Sequence, residues 1–273
     1  MAAPILVTGG TGTLGRHVVA LLRGAGCDVR VLSRGKRPGD DDDEVEPAIG
    51  DLSTGEGVEA AFDGVAVVVH CAGGPKGDGD KARHLVRAAG AAQLRHLINI
   101  SVVGADRIPV SSAVDRAMFG YFASKLDAEQ VIAESALPWT TLRATQFHDL
   151  TLTTVRGMAK LPVIPVPTGF RFQPVDTAEV AARLVELALG APAGLVPDLA
   201  GPRVYEMGDL LRTYLQATDK RRILVPARLP GGAARAIRAG ANLAPDRAVG
   251  RRTWEDFLAA QVDPRVSRSS RAG

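Results

Sequence analysis

The sequence predicts an α/β fold: a doubly wound parallel sheet with helices on both faces. Three observations carry this expectation. Apolar runs of strand length alternate with stretches of helical periodicity. Runs such as "VAVVVH" at 65–70 are apolar without alternation, the pattern of a strand covered on both faces. The first run breaks into "TGGTGTLG" at 8–15 and passes at once into an amphipathic stretch. Strand, helix, strand in succession implies right-handed crossovers and parallel neighbours.

Taken in order, the strand-like runs are Ile5–Val7, Asp28–Leu32, Val65–His70, Leu94–Ile100 and Trp139–Leu142. The helical patterns between them are Leu14–Ala25, Asp80–Ala92 and Ala113–Ser135. The acidic run Asp40–Glu44, just after "RGKRPG", reads as a solvated loop. A metal site there would need ligands that a Gly/Pro-flanked run does not preorganise. After Leu150 the rhythm loosens, and "KLPVIPVPTGFRFQPV" predicts irregular chain with short strands. "DTAE" at 176–179 has the form of a capping box opening a helix through Leu189. Leu195–Leu199 reads as one more strand, Met207–Ala217 and Ala233–Ala241 as helices, and the polar end as frayed.

Composition narrows the function classes. A chain of 273 residues suits one large α/β domain, with or without a small appendage. Aromatics are only 4%, so the core must be mostly Val, Leu, Ala and Ile. The net charge of +3 comes from scattered arginines with no interleaved aromatics, which argues against a nucleic-acid platform. Cys27 and Cys71 make neither a disulfide framework nor a zinc site, and suit a reducing cytoplasm. His17, His70, His84 and His96 have no partners at ligand spacing, so no metal is expected. No basic segment precedes the first apolar run, and no apolar stretch reaches membrane-spanning length. The expectation is a cytoplasmic protein without a membrane partner, monomeric or homodimeric.

Gly10, Gly12 and Gly15 match G-x-G-x-x-G between a predicted strand and a predicted helix, the Rossmann-type setting for a dinucleotide. On this reading Gly10 permits the sharp turn, Gly12 leaves room for a pyrophosphate, and Gly15 lets the helix pack close to the sheet. Gly9, Thr11, Thr13 and Leu14 complete the turn, whose free N–H groups face the anion. An NAD site would carry Asp or Glu at the end of the second strand. Here Ser33 and Arg34 stand there, with Lys36 and Arg37 close behind. A guanidinium suits a ribose 2′-phosphate, so NADP(H) is preferred over NAD(H). The alternative is that these bases only offset Asp40–Asp43.

These residues resemble the short-chain dehydrogenase/reductase superfamily, whose TGxxGxxG signature reads on Gly9, Gly12 and Gly15. The resemblance is closer to the atypical, NmrA-like NAD(P)H-binding branch. "GDL" at 50–52 resembles the adenine-contacting element after the third strand, which implies cofactor contacts for Asp51 and Leu52. "HCAGG" at 70–74 resembles the fourth-strand element lining the cofactor, which implies roles for Cys71, Ala72 and Gly73. "ISVVGAD" and "LPWTTLRATQFHD" resemble the fifth- and sixth-strand segments of the NmrA-like branch. The resemblance spans most of residues 4–200 and is strongest up to Asp149.

Tyr121 and Lys125 form Y-x-x-x-K, four residues apart and so on one helical face. An ammonium near a phenol favours phenolate, and a phenol so tuned can exchange a proton with a carbonyl oxygen during hydride transfer. The resemblance implies that Lys125 also holds the nicotinamide ribose. The alternative is a surface tyrosine beside a solvated lysine, with Met118, Phe122 and Leu126 as the core stripe. Ser101 ends the fifth strand as a third catalytic candidate. In many relatives the active Ser or Thr lies one or two places further along, where this chain has Val102 and Val103; Ser111 and Ser112 are the substitutes within reach in sequence. Gln146, Phe147 and His148 follow the sixth strand and are expected on the substrate side, although a lone His is more often structural.

The combined expectation is an NADP(H)-dependent oxidoreductase of a small carbonyl or quinone-like substrate. Residues 1–150 would form the cofactor-binding core, and 151–273 would complete the same domain and form the substrate pocket. The alternative is a non-catalytic NmrA-like sensor acting through protein partners. Sugar-nucleotide epimerisation is weaker, because that branch usually needs a larger C-terminal region.

Overall fold

The computed structural model describes residues 3–35, 45–92 and 94–262. In chain order the first half holds β1 (Ile5–Thr8), α1 (Gly15–Gly24), β2 (Val29–Ser33), β3 (Val45–Ile49), α2 (Val58–Ala61), β4 (Val67–His70), α3 (Asp78–Ala91), β5 (His96–Val102) and α4 (Ala113–Ala133). Then come β6 (Trp139–Ala144), α5 (His148–Met158), β7 (Val163–Pro167), β8 (Arg171–Phe172), α6 (Thr177–Leu189), β9 (Gly194–Leu195) and β10 (Tyr205–Glu206). The last elements are α7 (Met207–Ala217), β11 (Ile223–Ala227), α8 (Gly232–Arg238) and α9 (Trp254–Val262).

Seven strands form one sheet in the order β3-β2-β1-β4-β5-β6-β9, every pair parallel. The winding reverses between β1 and β4, which opens a crevice at the carboxyl ends of those strands. Alternate residues of β1 serve opposite layers. Ile5 and Val7 join Val18, Leu22, Val180 and Leu184 under α1 and α6. Leu6 joins Leu85, Leu97 and Ile132 under α3 and α4. A strand apolar on both faces is the consequence. A third core gathers Phe119, Phe170, Tyr214, Trp254 and Phe257 around the C-terminal helices.

Some expectations needed correction. β3 was not among the predicted runs. It is an edge strand with Pro47 inside and Glu46 turned out to Arg30 at 2.8 Å, so it lacks the apolar signature of its neighbours. α5 was also missed. Its threonines favour strands on propensity, but Thr151, Thr153 and Thr154 each donate a hydroxyl to the carbonyl four residues back, absorbing them into the helix. The expected capping box at 176–179 is only half formed. Asp176 accepts from the Ala178 N–H at 2.8 Å, whereas Glu179 accepts from the Arg251 and Arg252 N–H groups instead. The strand expected at Leu195–Leu199 shortens to β9 and an isolated bridge from Leu199 to Ala144. Met118 is not core: it is 47% exposed. No helix among the described residues is long and apolar enough to cross a membrane.

Candidate active site

The glycine turn joins β1 to α1 at the crevice. Gly9, not Gly10, takes the left-handed step, with φ +67°, and a Cβ there would stand 2.8 Å from the Ala72 backbone. Gly10 instead lies under Val31, whose methyl would be 2.8 Å from an added Cβ. At Gly15 a Cβ would collide with the Gly9 carbonyl oxygen and lie 2.7 Å from the Gly10 Cα, so the helix can sit this close only on a glycine. Gly12 is exposed, and an added Cβ would meet only the Gly9 oxygen, at 3.2 Å. Thr11 is half-buried and Thr13 exposed, while Leu14 packs into the core. α1 begins after Leu14 with no side-chain cap and no acid in its first turn. The Arg16 and His17 N–H groups donate to the Gly12 and Leu14 carbonyls, but no side chain caps the helix, so the positive end of its dipole is left for an external anion, and the open side of Gly12 gives that anion access. These residues fit the pyrophosphate of a dinucleotide.

Ser33 ends β2, its hydroxyl donating to the Gly35 carbonyl at 3.0 Å, and Arg34 beside it is exposed. Lys36, Arg37 and Asp40–Glu44 lie outside the described residues. The Asp51 carboxylate accepts from the Ser53 N–H at 2.7 Å. That bond above all holds it below the usual carboxylate range, and the charges of Arg34 and Lys81 add to it. Leu52 is buried, and its carbonyl accepts from His84 at 2.7 Å, which pins the segment against α3.

At the end of β4 the Cys71 N–H donates to the Thr8 carbonyl, and the Ala72 N–H approaches the Thr8 hydroxyl. Thr8 and the His70 ring are joined at 2.7 Å. Burial, reinforced by Lys125, pulls His70 down to about 4, so its imidazole is neutral. Burial pushes the Cys71 thiol up to about 12, so it is an inert small side chain at neutral pH.

Tyr121 and Lys125 do share a face of α4, the ammonium 5.8 Å from the ring centroid. Lys125 is buried, and its Nζ lies 2.5 Å from where a Gly73 Cβ would stand. Gly73 therefore leaves the space the ammonium occupies. A residue missed in the sequence completes the arrangement. Asp78, at the start of α3 and 1% exposed, pairs with Lys125 at 3.1 Å and Lys81 at 2.9 Å, and accepts from the Gly74 N–H. The Asp78 N–H in turn donates to the Ser124 hydroxyl, tying α3 to α4. The expected helix began at Asp80, which left Asp78 in a loop; the acid three residues before Lys81 was the available signal.

The electrostatics revise one expectation. Burial raises the Tyr121 phenol above its ordinary value and outweighs the downward pull of Lys125, while Asp78 adds to the rise. Tyr121 is a protonated phenol at neutral pH. Burial pulls the Lys125 ammonium down, but Tyr121 and Asp78 together hold it above its ordinary value. The site thus contains a neutral proton donor beside a fixed cation.

The Ser101 hydroxyl is buried near the end of β5 and has no hydrogen-bond partner among the described residues. Val103 is wholly buried against Ala200 and Ala244. Ser112 is the N-cap of α4 in a reciprocal capping box with Asp115, and the Ser111 carbonyl accepts from Arg116. Both side-chain amide atoms of Gln146 are buried without partners among the described residues. Phe147 is the N-cap residue of α5 and packs on the sheet core. His148 is wholly buried, stacked on Phe257 and Trp254 with ring centroids at 4.9 and 6.0 Å, and its Nε2 donates to the Arg252 carbonyl. These are the contacts of a structural histidine.

A model of the NAD(P)H-binding family matches residues 9–189. The chain is 31% identical over 193 residues to a (4-alkanoyl-5-oxo-2,5-dihydrofuran-3-yl)methyl phosphate reductase of Streptomyces griseus, covering 68% of this chain and 63% of that protein. It is 29% identical over 208 residues to a ceramide reductase of Caulobacter vibrioides, covering 70% and 63%. The matches thus span less than two thirds of either relative's length. Among solved structures, an Escherichia coli NADPH-dependent quinone oxidoreductase complexed with NADPH superposes with a TM-score of 0.77 at 17% identity, covering 95% of this chain and 100% of that one. A Citrobacter triphenylmethane reductase gives 0.75 at 20%, covering 95% and 99%. At these identities the two structures establish the fold. With the glycine turn, the seven-stranded parallel sheet and the family match in agreement, the chain belongs to the NAD(P)H-binding family, on the NmrA-like branch of the atypical short-chain dehydrogenases/reductases.

Proposed function

We propose that this protein is an NADP(H)-dependent reductase of a small carbonyl or quinone-like compound. The observation that carries the reading is the Tyr121–Lys125 pair, with the phenol half-buried and the buried ammonium against Gly73 at the carboxyl end of β4. Two of the curated relatives are named as reductases, which agrees with it. When bound, the nicotinamide supplies a hydride. Tyr121, protonated and partly shielded, donates its hydroxyl proton to the substrate oxygen as charge develops there. Lys125 stabilises the phenolate left behind and holds the nicotinamide ribose. Ser101, whose hydroxyl has no other bond to break, polarises the substrate oxygen. Gln146 and Phe147 line the substrate side.

Residues 1–150 carry the cofactor and 151–273 the rest of the pocket, in a cytoplasmic monomer or homodimer. Arg34, exposed at the end of β2 where an NAD site would hold an acid, supports NADP(H) over NAD(H).

One observation favours the second reading, a cofactor sensor. Val103 stands where many relatives carry the active Ser or Thr, and it is wholly buried against Ala200 and Ala244. Fluorescence titration with NADPH and NADH, followed by a panel of carbonyls and quinones monitored by NADPH loss, separates the two. A reductase turns over at least one panel member, and Tyr121→Phe abolishes that while NADPH still binds. Binding without turnover on any member favours the sensor, and tighter NADH binding removes the role of Arg34.

A further inference from the structure

The small two-stranded sheet β7–β11 carries more apolar surface than the fold uses. Its parallel register sets Val163 opposite Ile223, Ile164 opposite Leu224 and Pro165 opposite Val225. Side chains alternate across a strand, so Ile164 and Leu224 turn inward to the C-terminal core. Val163, Pro165, Ile223 and Val225 then form two cross-strand pairs on the opposite face, all exposed, Ile223 by 64%. Leu161 adjoins them, also exposed. Strands written "VIPVP" and "ILVPA" have the composition of strands covered on both sides. Here one side faces solvent.

Cations dominate the segments that flank this face. Lys160, Lys220, Arg221 and Arg222 precede the two strands and Arg228 follows β11, all exposed. None of the five forms an ion pair among the described residues, and Asp219 is the one acid in the adjoining stretch 219–222. A cleft beside the ribbon is lined by Arg212, Lys220, Arg221 and Arg222, with Asp219 and Leu224. Arg212 is already paired with Asp209.

We infer that this face docks on an anionic lipid bilayer, the apolar ribbon entering the headgroup boundary and the surrounding cations meeting lipid phosphates. A nucleic acid would use the cations but not the aliphatic ribbon, and no aromatic side chain lies among these residues to stack on a base. A second copy placed face to face would oppose like charges. The chain's own acidic run, Asp40–Glu44, could neutralise the cations but has no apolar side chain to cover the ribbon. A spanning segment is not involved. The expectation of no membrane partner rested on span length alone, and this surface exists only once residues 163–167 and 223–227 pair.

The test is co-sedimentation of the full chain with phosphatidylcholine vesicles and with vesicles that also contain phosphatidylglycerol. Binding to the anionic vesicles that falls with added salt is expected, with little binding to neutral ones. Lys160→Glu with Arg221→Glu should weaken it more than twenty-five-fold, since each cation near such a surface contributes about five-fold. Ile223→Ser with Val225→Ser should weaken it while leaving net charge and NADPH binding unchanged. Thermal melts of both variants should match the parent, because all four side chains are exposed. The inference is overturned if the parent does not bind anionic vesicles or if either double variant binds as well. It is also overturned if sedimentation shows a dimer that Ile223→Ser with Val225→Ser dissociates.

Discussion

Gly12 and Gly15 occupy the same turn, yet the structure predicts opposite consequences for the same methyl group. A Cβ at Gly15 would run into the Gly9 carbonyl and lie 2.7 Å from the Gly10 Cα, both backbone atoms that cannot swing away. Gly15→Ala must push α1 off the sheet. Overpacking of this kind costs about 1–3 kcal/mol. A Cβ at Gly12 meets only one oxygen at 3.2 Å, and Gly12 does not need a positive φ. There the small gain from a less flexible unfolded chain, about 0.4–1 kcal/mol, roughly offsets the tight contact. Gly12→Ala should melt near the parent temperature. Its methyl would nevertheless fill the space through which an anion approaches the first turn of α1. Losing one or two charge-assisted bonds of about 1.5–3 kcal/mol each raises the Kd for NADPH by ten-fold or more. Differential scanning calorimetry and NADPH fluorescence titration on both variants give the two readouts. A Gly12→Ala protein that binds NADPH as tightly as the parent would refute the cradle. One that loses stability as Gly15→Ala does would show that the open side of the turn has been misread.

Three further outcomes follow from the site. Asp78→Ala leaves Lys125 and Lys81 without their shared carboxylate in a buried setting; a loss of about 3–5 kcal/mol is expected by denaturant unfolding, with Asp78→Asn milder because it still accepts from Gly74, and parent-like stability in the alanine variant would contradict the pairing. His70 has its folded value lowered from 6.5 to about 4, so the unfolded chain binds the extra proton first: its contribution is fully present above pH 6.5 and is lost as pH falls toward 4, about 3 kcal/mol in all, and the slope of unfolding free energy against pH in that window should shrink in His70→Gln. Arg34→Glu should weaken NADPH binding ten-fold or more and leave NADH binding equal or tighter, and equal losses for both coenzymes would place Arg34 away from the 2′-phosphate.

Much of the first half of the chain is legible because its signals are local. The turn glycines, the uniformly apolar β4 and β5, and the four-residue spacing of Tyr121 and Lys125 each depend on neighbours close in sequence. β3 was harder because an edge strand is free to carry Glu46 and Pro47. α5 was harder because three threonines find backbone acceptors only after the helix exists.

Periodicity alone settles the fold class, because hydrophobic spacing dictates strand and helix, and the glycine spacing marks the turn proposed to hold a dinucleotide, because a bare backbone lets an anion approach. The rest needed distance in three dimensions. That Gly9 rather than Gly10 turns the chain follows from its contact with Ala72, 63 residues away in register with β4. Asp78 reaches Lys125 only because α3 packs on α4. The Tyr121 phenol is raised rather than lowered because burial, a property of the assembled core, outweighs the neighbouring charge that the spacing revealed.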